Sequence, residues 1–300
     1  MRKRSSAVGG SEPSAKFAPR LYRDLIAQAL AEDAPAGDIT TASTVAQDSI
    51  CTARLIAKES LTLAGIGLFE EAFRILDPNV KIKKIFSDGQ AVPEGSVVAT
   101  IKGNARAILT AERVALNFLQ RLSGVATLTR KFADAVEGTA CAILDTRKTT
   151  PLLRDLEKYA VRMGGGKNHR RDLSAMALIK ENHIAAVGGI VRAVDMVKKS
   201  LPRGAFIEVE VRNMAELEQA LNADVDRVLL DNMTPAQVKA CVKTVGGRAK
   251  TEASGNMTVK NVRAYAKTGV DYISVGKLTH SAPASDFSLL IEPGKSGRAK

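Results

Sequence analysis

The rhythm of apolar and polar positions changes near residue 139. Before that point, Leu21, Leu25 and Ile26 recur at helical spacing and predict an amphipathic helix over 21–32, stopped by the turn-rich Pro35-Ala36-Gly37-Asp38. Strand-like stretches follow at Thr52–Ile56, Val80–Phe86 and Val97–Lys102, punctuated by Asp88-Gly89 and Pro93-Glu94-Gly95, with a helix over Gly67–Leu76 between them. A long helical stretch runs from about Ala107 to Leu122. This mixture predicts an α+β unit.

After residue 139, six short apolar runs appear: Cys141–Leu144, Ala177–Ile179, Phe206–Val211, Val228–Leu230, Ala249–Glu252 and Tyr272–Val275. Helical patterns separate them. Asn213 to Glu216 and Thr234 to Gln237 have capping-box spacing, Pro235 occupies a first turn, and Gly269 stands where a helix would end. Apolar strands alternating with capped helices predict parallel βα units, and six strands suit an open or incomplete β/α barrel. The fold class expected is therefore α/β. A sandwich-like α/β domain over 21–125, with 285–293 a candidate to complete it, precedes a barrel over 126–284. Flexible tails are expected over 1–20 and 294–300.

The net charge of +12 suggests nucleic acid at first sight, but residues 1–20 carry +4 and residues 294–300 carry +3, leaving +5 for the body. Aromatic residues are 4% and Trp is absent, which leaves few platforms for stacking bases. An anionic small substrate is the better account of the remaining charge. No apolar run approaches the roughly 20 residues of a membrane span. The basic start, Met1 to Ser6, has no apolar stretch after it, unlike a secretory signal. Cys51, Cys141 and Cys241 are odd in number and far apart, which argues against a disulfide framework and fits a reducing, cytoplasmic setting.

Nearly every barrel strand ends in polar residues or glycine. The ends are Asp145-Thr146-Arg147-Lys148, Lys180-Glu181-Asn182-His183, Glu208 and Glu210, Asp231-Asn232, Glu252 to Asn256, and Gly276-Lys277. In a β/α barrel such ends converge on one face, where active sites are built. That face would hold Arg147, Lys148, His169, Arg170, Lys180, Glu210 and Asp231. Arg forks grip carboxylates and phosphates, and two acids among many cations suit a divalent metal held partly by substrate phosphate. Ser254-Gly255 and Gly276 offer backbone N–H groups to a phosphate. Gly164-Gly165-Gly166 permits close backbone approach or loop motion. Glu208 and Glu210, two apart on a strand, point to one face, and one of them is free to orient a basic neighbour. His183 and His280 stay open between structural and functional readings.

These residues coincide with a known pattern. The chain resembles the quinolinate phosphoribosyltransferase (nicotinate-nucleotide pyrophosphorylase, carboxylating) family from about residue 20 to 290, in order. The likeness begins with Glu32-Asp33 and Gly37-Asp38-Ile39-Thr40-Thr41, then Glu112 to Asn117 with Leu122-Ser123-Gly124. It continues through Asp145 to Pro151, Gly164-Gly165-Gly166 with Asn168-His169-Arg170, and Leu178 to His183. Glu208 to Val211, Leu230 to Met233, Glu252 to Asn256, and Ser274-Val275-Gly276 with Thr279-His280-Ser281 complete it.

The resemblance implies phosphoribosyl transfer from phosphoribosyl pyrophosphate to quinolinate, with decarboxylation to nicotinate mononucleotide, magnesium as cofactor, and a homodimer or an assembly of dimers. It implies that Arg113 reaches the neighbouring subunit's site, that Arg147, His169, Arg170 and Lys180 surround quinolinate, and that Thr146 also binds substrate. Lys148, Glu210 and Asp231, with Lys180, would serve catalysis. Glu210 and Asp231 would meet the metal through its pyrophosphate, and Ser254, Gly255 and Gly276 would form the phosphate pocket. Asp172, Ala175 and Arg212 depart from the family pattern in loops. Two other readings are a related phosphoribosyltransferase acting on another aromatic acid, and a non-catalytic anion- or nucleic-acid-binding protein.

Overall fold

A computed structural model describes residues 18–292, so most of the expected tails, 1–17 and 294–300, lie outside it. After a 3-10 turn, Pro19–Tyr22, come α1 (Arg23–Asp33), α2 (Ile39–Thr44), β1 (Ile50–Ala57), β2 (Leu61–Thr62), α3 (Ile66–Leu76), β3 (Lys81–Lys84), β4 (Ala91–Val92), β5 (Val97–Asn104) and α4 (Ala105–Ala135). Then follow β6 (Ala142–Leu144), α5 (Arg154–Met163), β7 (Ala177–Ile179), α6 (Glu181–Val187), α7 (Ile190–Ser200), β8 (Ile207–Val211) and α8 (Met214–Asn222). The chain ends with β9 (Arg227–Asp231), α9 (Pro235–Val245), β10 (Lys250–Ser254), α10 (Val262–Ala266), β11 (Tyr272–Ser274), α11 (Lys277–His280) and β12 (Phe287–Ile291). Among the described residues no helix is long and apolar enough to cross a membrane.

These elements divide into two compact units. One holds residues 18–128, 162–164 and 282–292. Its main sheet is antiparallel in the order β12-β1-β5-β3, with Ala53 of β1 between Ile291 and Ile101. Ala53, Leu55 and Ala57 are buried while Arg54 is exposed, the period of two expected of a strand with one covered face. α3 contributes Phe69 and Phe73, edge to face at 4.9 Å. Asp38 caps α2 by accepting from the Thr41 N–H at 2.9 Å and the Thr41 hydroxyl at 2.6 Å. α4 extends well beyond the Leu122 suggested by the sequence. Ser123 and Gly124, poor helix formers, sit inside it because packing decides there. The buried Ser123 hydroxyl accepts from the Ala64 N–H at 3.1 Å, and a Cβ at Gly124 would overlap the Pro283 carbonyl.

The other unit holds residues 129–161 and 165–281. Its six strands are parallel in the order β6-β11-β10-β9-β8-β7. Val209, Val211, Val228, Leu230, Ala253 and Ile273 are buried in them, as in parallel strands covered on both faces. β6 and β7, at the two ends of the order, do not pair. Instead the Lys167 N–H donates to the Ile143 carbonyl at 2.8 Å, and the Asp145 N–H donates to the Lys167 carbonyl at 3.2 Å. The box at Thr234 and Gln237 forms in both directions. The one at Asn213 forms in one: Glu216 reaches back to the Arg212 N–H at 2.8 Å instead of the cap residue. Gly269 lies three residues past α10, after a turn.

Candidate active site

A cavity of about 600 Å³ opens at the C-terminal ends of the parallel strands. Thr146, Arg147, Lys148, His169, Arg170, Lys180, Glu210, Asp231, Ser254, Gly255 and Gly276 all line it. Arg113 does not; it is exposed on α4. The lining also includes Glu252, Met257, Lys277 and His280, together with Leu178 and Leu229. Of these, Glu252 and Lys277 stood at strand ends in the sequence without an assigned role, and His280, left open there, lies at the cavity. His183 is elsewhere: its Nδ1 accepts the Lys180 N–H at 3.0 Å as part of the α6 cap.

Cations dominate the walls. Burial, and then the charge of Arg147, hold the Arg170 guanidinium below its ordinary value. A guanidinium disfavoured by a second one in this way favours an anion between them. Arg170 donates to the Met176 carbonyl at 3.1 Å, which fixes the fork. The Arg147 Nε is buried without a hydrogen-bond partner among the described residues. Also on the cavity wall, Lys180 Nζ donates to Glu210 Oε2 at 2.7 Å. Burial, and then the Glu210 carboxylate, push the Asp231 carboxyl up, against a 2.7 Å bond from Asn232 that pulls it down. This paired negative charge amid lysines suits a hard cation with oxygen ligands.

Beneath the cavity floor lies a cluster of charges. Glu208 and Glu252 are wholly buried, on β8 and β10. Arg227, on β9, donates to Glu252 Oε2 at 2.8 Å and lies 3.7 Å from Glu208 Oε2. Its guanidinium sits 5.2 Å from the Phe206 ring centre and 4.7 Å from that of Tyr272. His169 Nε2 approaches Glu208 at 3.2 Å and Glu252 at 3.5 Å. Burial raises the Glu252 carboxyl and the Glu208 charge raises it further, whereas His169 and Arg227 outweigh burial and lower Glu208. Burial pulls the His169 imidazole down, but Glu252 and Glu208 more than reverse that. One histidine and two carboxylates within 4.8 Å resemble a metal-ligand set. The Arg170 N–H, however, donates to His169 Nδ1 at 2.7 Å. That bond leaves the ring proton on Nε2, which then turns a proton and not a lone pair toward the carboxylates and is not a metal ligand. Arg227 supplies the balancing charge.

Glycine is needed at two of the positions seen in the motifs. Gly255 has φ +106°, and a Cβ there would lie 2.8 Å from the Asn232 Cγ. At Gly166 it would lie 2.8 Å from both Thr129 Cγ2 and Val161 Cγ1, so the triple glycine serves close approach. The departures from the family pattern are absorbed locally. Asp172 accepts from Ser174 N–H at 3.0 Å and Ala175 N–H at 3.1 Å, and Arg171 donates to it at 3.0 Å. Arg212 pairs with Glu181 at 2.6 Å. The cysteines are free, and burial pushes the Cys141 thiol up to about 12, too high for a nucleophile.

Comparison with known proteins gives this arrangement a family. The C-terminal domain of quinolinate phosphoribosyl transferase matches residues 125–290, and its N-terminal domain matches residues 38–123. The chain belongs to the quinolinate phosphoribosyltransferase family. A relative from Bacillus subtilis, the probable nicotinate-nucleotide pyrophosphorylase (carboxylating), is 43% identical over 86% of this chain and 89% of its own. The mitochondrial quinolinate phosphoribosyltransferase (decarboxylating) 2a of Nicotiana tabacum is 43% identical over 88% of this chain and 80% of its own. The solved nicotinate-nucleotide pyrophosphorylase from Francisella tularensis superposes with a TM-score of 0.87 at 43% identity, over 92% of this chain and 98% of that one. The family's α/β fold, a small N-terminal domain followed by a parallel-sheet domain, is the one described above.

Proposed function

We propose that this quinolinate phosphoribosyltransferase joins quinolinate to phosphoribosyl pyrophosphate, releasing pyrophosphate and carbon dioxide and leaving nicotinate mononucleotide for NAD synthesis. The observation that carries the reading is the convergence of Arg147, Arg170, Lys148 and Lys180 on one cavity that also holds Glu210 and Asp231. Quinolinate carries two adjacent carboxylates. Arg147, Arg170 and Lys180 are the groups that grip them, with Thr146 as a hydroxyl partner and His169 shaping the floor. Lys148 lies beside Gly276, whose added Cβ would meet the lysine Cδ at 3.0 Å, so this lysine and the Ser254-Gly255 and Gly276 backbone are suited to the phosphates.

Catalysis is then positioning and electrostatics. The ring nitrogen attacks ribose C1 as pyrophosphate departs; the positive charge of the resulting pyridinium stabilises the carbanion left at C2 when that carboxylate leaves as carbon dioxide, and a proton from solvent replaces it at C2. No covalent link to the protein is required. Glu210 and Asp231 would hold a magnesium ion through its pyrophosphate, and that ion would neutralise charge on the leaving group. Their crowded negative charge fits such a cation. Arg113, exposed and remote in sequence from the cavity residues, is read as reaching the site of a second copy in a homodimer or an assembly of dimers. Three free cysteines suit a cytoplasmic setting.

The test is an assay with quinolinate, phosphoribosyl pyrophosphate and magnesium. Stoichiometric nicotinate mononucleotide and carbon dioxide are expected. Product from nicotinate without carbon dioxide release, or no turnover at all, would overturn the reading.

A further inference from the structure

The cavity's two arginine arms come from separate loops. Arg147 follows β6, and Arg170 follows the Gly164-Gly165-Gly166 turn. One buried carboxylate touches the roots of both. Asp145, fully buried at the end of β6, accepts the His169 N–H at 2.8 Å, Asn168 Nδ2 at 2.5 Å and Lys158 Nζ at 2.5 Å. Lys158, also buried, donates its other bond to the His169 carbonyl at 3.0 Å. Asn168 Nδ2 closes the circuit on the Lys158 carbonyl at 2.9 Å. Both polar backbone groups of His169 are therefore tied to residues outside its own loop.

The same face of α5 repeats the tie. Arg154, Glu157 and Lys158 stand three and four apart, and so project together. Glu157 accepts from the Thr150 N–H at 3.0 Å and its hydroxyl at 2.8 Å, holding the far end of the first arm. Arg154 reaches both arms, at the Thr149 hydroxyl (3.1 Å) and the Arg171 carbonyl (3.3 Å). None of these bonds is needed to reach a substrate, and neither Asp145 nor Lys158 lines the cavity.

We propose that Asp145 and Lys158, braced by α5, are positioning residues that set the gap between Arg147 and Arg170 and so select a ring bearing two adjacent carboxylates. The choice of ligand rests on the phosphoribosyl-transfer reading above. A fixed gap between two forks discriminates between carboxylates on neighbouring carbons and carboxylates one carbon further apart. A loosened gap grips both less well and distinguishes them poorly.

The test compares calorimetric affinities for pyridine-2,3-dicarboxylate and pyridine-2,4-dicarboxylate. The variant is Asp145→Asn with Lys158→Met, which removes both charges together and leaves neither buried alone. The preference for the 2,3-isomer should fall about tenfold or more, the scale of a small misplacement in a preorganised site. KM for phosphoribosyl pyrophosphate should stay within about twofold, as expected of a separate subsite. If the double variant does not fold, Asn168→Ala removes one donor only and should lower the preference about threefold, the worth of one net hydrogen bond. A preference retained in the variants, or a parallel loss for both substrates, would overturn the proposal. Absence of quinolinate binding and turnover in the unaltered chain would instead overturn the functional reading, and this proposal with it.

Discussion

Replacing Arg227 with Met tests the charge balance below the cavity. Arg227 is 1% exposed and is the cation of a group whose acids, Glu208 and Glu252, are wholly buried. Met retains much of the apolar stem between Phe206 and Tyr272 but leaves the carboxylates without their guanidinium. Breaking a buried pair by removing one partner costs about 3–5 kcal/mol. Lost contact with the two rings adds up to about 2 kcal/mol. The loss should depend on pH. Without Arg227, the Glu252 carboxyl rises further above its unfolded value, and the Glu208 carboxyl loses part of the positive charge that holds it down. A carboxyl shifted upward destabilises the fold when ionised, so the penalty is fully present above its folded pKa and is relieved as pH falls through that value. Urea unfolding followed by far-ultraviolet circular dichroism at pH 8 and pH 5.5 should show the larger loss at pH 8. Adding Glu252→Gln should recover part of it by removing one unpaired charge. A loss below about 1 kcal/mol at both pH values, the level of an ordinary surface change, would refute the charge-balance account. So would a larger loss that neither pH nor Glu252→Gln relieves.

Three further outcomes follow from the geometry. Arg147→Ala should lower kcat/KM with quinolinate by about 10²–10³, the scale of losing one preorganised charged donor, in steady-state kinetics. Near-full activity would remove Arg147 from the site. Asp231→Asn should nearly abolish turnover yet raise the melting temperature, because a carboxyl held above its ordinary pKa costs stability while ionised; each kcal/mol is worth about 2–4 °C at this size. Calorimetric scans showing a lower melting temperature would contradict that sign. Gly124→Ala should destabilise the first unit by about 1–3 kcal/mol, since the new methyl would overlap the Pro283 carbonyl, and chemical denaturation measures it.

The cavity rim was legible in the sequence because polar groups at the ends of apolar runs break a visible pattern. Thr146, Lys180, Asp231 and Ser254 stand at such breaks. The supporting charges were harder to read. Glu208, Arg227 and Glu252 lie within or beside apolar runs on three different strands, and only the parallel register of β8, β9 and β10 brings them together. α5 escaped notice because its covered face includes Glu157 and Lys158, which a periodicity of apolar residues counts as exposed. α4 looked shorter than it is because Ser123 and Gly124 imitate a helix end, when their small size instead admits neighbouring backbone.

β6 and β7 leave the ring of strands unjoined, and Lys167 pairs with β6 where another strand would have continued the wall. The segment that pairs there carries His169 and Arg170 two and three residues further on. Gripping a ligand and extending the sheet beyond β6 are thus tasks of one short stretch of chain. Occupancy should slow amide exchange at Asp145 and Lys167, so the wall itself would report when the site is filled.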